Sequence, residues 1–209
     1  MSRLTRTAAA LAVATLAVTG LTGCGAQEQL GSAAVIDGHQ ISTDDLQAAT
    51  RAYVKTVPGA DTAEVQRALL QREILSRIIS AEARKVGVHA SPAAVAKQRD
   101  DLLPSVGGRS GLLRQLAAGQ SPTILAPSGI DRWFKDQVLY RRIATKLAVD
   151  GNPQSQQSIA ATTKALIATG RAMEIRVNPR YGTWSTRNGI QPLVSGGLAA
   201  SADQLRDQG

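Results

Sequence analysis

Sulfur, aromatic rings and recognisable catalytic groups are scarce in this chain of 209 residues. It has one cysteine, Cys24, which leaves no partner for a disulfide. Only 3% of residues are aromatic, against 43% hydrophobic overall, so the core must be built from Leu, Ile, Val and Ala, as when helices pack on helices. The two histidines, His39 and His89, fall in different elements and read as exposed loop residues, not as ligands or bases. His-Glu-x-x-His, Cys-x-x-Cys, Gly-x-Ser-x-Gly and Walker-type Gly-Lys-Ser/Thr motifs are all missing. Gly107-Gly108-Arg109-Ser110-Gly111 has neither a lysine nor a preceding strand, and reads as a flexible connector. The acidic pairs Asp44-Asp45 and Asp100-Asp101 read as helix-start and solvent-face charges. The expectation is a protein that is not an enzyme, with no cofactor and no metal site.

A long hydrophobic run is lacking too. Ala8 to Val18 is apolar but falls short of the roughly 20 residues that a spanning helix needs. With Arg3 and Arg6 before it and small residues after it, the segment has the layout of a secretory signal peptide over residues 1–23. Leu21-Thr22-Gly23-Cys24 resembles the lipobox of bacterial lipoproteins, which implies that Cys24 carries, through its sulfur, one group bearing two palmitate-type acyl chains and becomes the new N-terminus. Two acyl chains suffice for stable anchoring, since each buried CH₂ contributes roughly 0.8 kcal/mol. The expected location is the extracytoplasmic face of the cell membrane, lipid-anchored through Cys24.

The formal charge is +8, from 24 Lys and Arg against 16 Asp and Glu, and falls by two when Arg3 and Arg6 are removed. Basic and acidic residues are interleaved over several segments, which is the pattern of solvated helix faces. An exported chain of this kind meets anionic headgroups or wall polyanions, and nucleic acid is not expected as a partner.

Residues 24–32 are small and polar and read as a flexible tether. Ala33 to Ile36 then forms a short apolar strand, Asp37-Gly38 suits a type I′ turn, and Ile41 closes the unit. Ser42 or Thr43 caps a helix that carries Leu46, Ala49 and Tyr53 and stops before Pro58-Gly59. From Thr62 to Val86, Val65, Leu69, Leu70, Ile74, Ile78 and Ile79 recur at helical spacing. Glu73 and Arg77 there suit an i,i+4 pair, and Gly87 ends the helix. Further helices are predicted from Ser91-Pro92 to Leu103, over 112–118, from Ile130 to Ala148, and from Gln154 to Thr169 with Gly170 just past the end. Then the period changes: Met173, Ile175 and Val177 alternate with polar residues, as in a half-buried strand. Neither short strand is stable alone. The simplest closure pairs strand 33–41 with strand 173–178 in a small sheet beside the helices, giving a mainly α fold. The Trp133-Phe134 and Tyr181/Trp184 aromatics read as core or strand-packing groups, with client contact as the alternative. The tail 185–209 reads as loosely ordered.

Ala34-Val35-Ile36-Asp37-Gly38-His39-Gln40-Ile41-Ser42 with an acidic helix start resembles the opening of the SurA/PrsA/PpiD-type foldases. The long following helix, the Ile130 helix and the late strand leading into Pro179-Arg180-Tyr181-Gly182-Thr183-Trp184 are similar to the same N-terminal chaperone domain. The resemblance covers residues 33–184 and implies a helical domain in which the early and late strands meet. It also implies an ATP-independent chaperone that binds unfolded or partly folded exported proteins. The turn between Leu147 and Gln154 leaves no room for the isomerase (parvulin) domain of some family members, so prolyl isomerase activity is not carried over. The alternative is a structural or adaptor lipoprotein gripping one folded envelope partner.

Overall fold

The computed structural model describes residues 31–119 and 123–191. Cys24, the expected signal peptide 1–23, most of the expected tether 24–32 and the residues from 192 lie outside the described residues. The fold is mainly helical with a small antiparallel sheet, and that sheet is made by the early and late strands of the chain.

Strands β1 (Ser32–Ile36) and β2 (His39–Ser42) form a hairpin with Ile36 opposite His39. Its two-residue turn needs positive φ at both positions, and Asp37 (47°) and Gly38 (77°) supply it. Strand β3 (Ile175–Val177) adds to the other side of β1, with Val35 opposite Arg176, so the sheet order is β2-β1-β3. Side chain and backbone clamp both ends of that pairing. The Asp37 N–H donates to the Glu174 carbonyl at 2.9 Å, and the Glu174 N–H returns a bond to Asp37 Oδ1 at 2.8 Å. At the far end the Asn178 N–H reaches the Ala33 carbonyl at 2.9 Å and its side-chain amide reaches that of Ser32 at 3.0 Å.

Helix α1 (Thr43–Thr56) starts where Ser42 Oγ accepts from the backbone of Asp44 and Asp45. Helix α2 (Thr62–Lys85) is capped by Asp61, whose carboxylate accepts the Glu64 N–H, and ends before Gly87 at φ 72°. It packs on α1, on α5 (Ile130–Lys146), on α6 (Gln156–Ala172) and on β1, so it is the central element of the core. Between α2 and α5 the chain forms α3 (Pro92–Leu102) and α4 (Gly108–Ala118), which cover the start of α5. The main cluster joins Ala34 and Ile36 of β1, Leu46 of α1, and Leu70 and Ile74 of α2. A second gathers Leu112, Leu113, Leu125 and Ile130 around Phe134, which is fully buried and meets Trp133 edge-to-face at 4.9 Å. A third joins Ile79 and Ala83 to Leu139 and Ile143.

Four expectations need correcting. The ordered chain does not end at Trp184: β4 (Thr183–Ser185) and β5 (Gly189–Gln191) make a second hairpin, and Ile190 enters the main cluster opposite Trp184. Its three-residue loop closes with Gly189 at φ 72°, as such turns require. Gly170 is not past a helix end but inside α6, where a Cβ would stand 2.9 Å from Thr186 Cγ2 and 3.0 Å from Ile78 Cδ1. Close packing is thus its reason. Glu73 pairs with Arg132 on α5 and not with Arg77, because the packed interface puts the guanidinium closer than the i+4 residue on its own helix. Gly107 to Gly111 is no loose connector: the Gly108 N–H bonds the Leu103 carbonyl at 2.7 Å, and Gly111 lets the first turn of α4 press against the Val106 carbonyl.

Candidate functional site

The α2–α5 interface holds charge as well as hydrocarbon. Asp136 lies in the i, i+3, i+7 phase of Leu139 and Ile143, so the helix that buries those residues also buries the carboxyl. Ser76 occupies the same kind of position on α2, seven residues after Leu69 and three before Ile79. The two meet, with Ser76 Oγ donating to Asp136 Oδ1 at 3.0 Å. Burial pushes the Asp136 carboxyl above its ordinary range, an effect that the Ser76 bond and the nearby Arg72 charge only partly offset. Burial also lowers Arg72, again partly countered by Asp136.

A trough opens over this polar centre. One cavity, of about 540 Å³, has Leu46 and Ala49 of α1, Leu69 of α2, Ala126, and Trp133 of α5 among its walls. A neighbouring cavity of about 690 Å³ lies between the β1–β2 turn, the second half of α2 and the start of α5, and is lined by Arg77, Arg84, Lys135 and His39. Both include Ser76, Arg77, Arg132 and Asp136, so they meet above the buried carboxyl. Along α2 the lining runs from Leu69 to Arg84, about 22 Å at 1.5 Å per residue. An extended peptide of six or seven residues has about that length. The first end is mostly apolar and the second polar and basic.

The residues singled out from sequence are mostly elsewhere. His39 is exposed on β2 at the basic end of the trough, and His89 is exposed where its carbonyl accepts from Arg142. Asp44 and Asp45 lie in the first turn of α1, and Asp100 and Asp101 pair with Arg99 and Lys97 on the surface. Tyr181 is buried and Trp184 packs on the main cluster. Only Trp133 of the aromatic pairs faces the trough. Sequence reasoning missed Ser76, Arg72 and Asp136; their phase with buried Leu and Ile was the available signal. Among the described residues no group of three His, Cys, Asp or Glu side chains is placed to hold a metal ion. No described helix is long and apolar enough to cross a membrane. No protein-family model matches the chain, and neither a curated protein nor a solved structure matches it significantly.

Proposed function

We propose that this protein is an extracytoplasmic lipoprotein, tethered through Cys24, that holds unfolded or partly folded exported polypeptides without ATP. In this reading it is a SurA/PrsA/PpiD-type chaperone domain without a catalytic role. The observation that carries it is the open trough, whose apolar end offers Ala48, Ala49 and Trp133 to an extended segment. Concave, mainly apolar clefts of about 300–1,000 Å³ with a few polar groups are the usual form of binding sites. The pairing of β1 with β3 supports the family reading, because the resemblance implies that the early and late strands meet. Capture of an unfolded chain's apolar segment withholds it from aggregation.

The test is suppression of aggregation by the purified chain in mild detergent, with a chemically denatured client. Slower aggregation at near-stoichiometric ratio, with the effect lost on Ala48→Asp at an exposed position of the trough wall and the thermal midpoint unchanged, is the expected result. No effect at large excess overturns the proposal. Crosslinking in cells from position 133 separates the alternatives: a spread of exported clients supports the chaperone, whereas one dominant folded partner supports an adaptor.

A further inference from the structure

The basic end of the trough has an electrostatic imbalance that the apolar end lacks. Of its three carboxylates, Asp131 is paired with Arg109 at 2.6 Å, while Asp37 and the buried Asp136 accept from neutral donors, the Glu174 N–H at 2.8 Å and the Ser76 hydroxyl at 3.0 Å, so cations still outnumber anions there. Arg132 is held by Glu73. That leaves Arg77, Arg84 and Lys135, all exposed, which line the same cavity and whose side chains make no hydrogen bond or ion pair among the described residues, Lys135 acting on the buried Asp136 only through space. Asp131 is held below its usual range, chiefly by the Arg109 hydrogen bond, so it stays an engaged anion that is poorly placed to take a second cation.

Resting on the chaperone reading above, we propose that the trough selects polypeptide segments in which an apolar run is followed by acidic side chains. The apolar run lies against Ala48, Ala49 and Trp133, and the carboxylates reach Arg77, Arg84 and Lys135. The geometry sets the spacing. The shared residues Ser76 and Arg77 lie between the two cavities, and Arg84 follows Ser76 by eight residues, about 12 Å along α2. An acidic residue directly after the apolar run therefore comes level with Arg77 and Lys135, which stands beside Asp136 opposite Ser76, and one three or four positions further on comes level with Arg84. Two cations acting on an acidic pair, each contributing about threefold as exposed ion pairs do, give a preference of about tenfold.

The experiment uses fluorescent peptides that share one apolar run and end in an acidic pair (Asp-Asp), a neutral pair (Asn-Asn) or a basic pair (Lys-Lys). Affinities for the full chain in mild detergent are read at low salt and at about 1 M, where the screening length shrinks to about 3 Å. The inference expects the Asp peptide to bind about tenfold more tightly than the Asn peptide at low salt, and the Lys peptide to bind most weakly. High salt should bring the three together. Arg84→Glu with Lys135→Glu, checked for an unchanged thermal midpoint, should abolish or invert the order. Equal affinities at low salt, or a preference that survives the double substitution, overturn the inference while leaving the chaperone reading in place. Binding by none of the three peptides overturns both.

Discussion

Ser76 and Asp136, sixty positions apart, share a hydrogen bond of 3.0 Å that ties α2 to α5 beneath the trough. Desolvation outweighs that bond and the nearby Arg72, Arg132 and Lys135 charges, so the carboxyl titrates above its ordinary value of 3.8. The folded state therefore binds more protons than the unfolded state between those two values. Stability falls with rising pH across that window. Asp136→Asn removes the titration. Its stability relative to the parent should rise as pH goes from about 4 upward, and level off once the folded parent is ionised. Urea unfolding of both proteins over that range measures the difference, and a flat difference would exclude a raised carboxyl.

The clamp between the chain's two ends makes a separate prediction. Asp37 holds a left-handed conformation and bonds Glu174 through both backbone and side chain. Asp37→Asn keeps both features and should change stability by under about 0.5 kcal/mol, since Asn also tolerates that conformation. Asp37→Ala loses the side-chain acceptor and puts a Cβ without local support at positive φ, and should cost about 1.5–2 kcal/mol. Equal effects of the two substitutions in denaturant unfolding would mean that the side-chain bond contributes nothing.

That hairpin and its partner strand were legible in sequence because two local rules agree there. Asp37-Gly38 fits only a narrow class of turn, and the alternation over 173–177 is the period of a strand. The long helix was equally plain, as were the Ser42 and Ser91 caps, which both accept backbone N–H groups. What failed was decided by tertiary contact. Glu73 has an i+4 cation within reach on its own helix, yet the cation it holds is Arg132, supplied by α5. Gly170 resembles a helix stop until Ile78 and Thr186 come against it. The trough depends on three polar residues standing where apolar ones are expected, and their residue type reads as solvent face although their helical phase is that of the core. The second hairpin did carry a sequence signal, Asn188-Gly189, but its three-residue strands are too short for alternation to register.

That second hairpin is structural, and Gly182 is its hinge. Gly182 has φ 122° and ψ −166°, a region essentially closed to side chains, and a Cβ there would overlap the Gln191 carbonyl. Gly182→Ala should therefore destabilise by at least about 2 kcal/mol. Ile190→Ala, which empties a buried site without backbone strain, should cost about 2–4 kcal/mol. If the ordered domain ended at Trp184, as the sequence alone suggests, Ile190→Ala would not move the thermal midpoint.

The proposed lipid anchor is tested independently of the fold. One acyl chain binds a membrane only marginally, whereas two hold it stably at roughly 0.8 kcal/mol per buried CH₂. A basic surface adds attraction to anionic lipid, but that part is screened by salt. Cell membranes washed at high salt should therefore retain the parent protein, and detergent phase partition should place it with the lipid. Cys24→Ser should move it to the soluble fraction in both assays, because no other cysteine can be acylated. Mass spectrometry of the parent should find Cys24 as the first residue, carrying the added acyl mass. If the Cys24→Ser protein stays with washed membranes, something other than thiol-linked lipid holds the chain, and the tether on which the proposed function depends is lost.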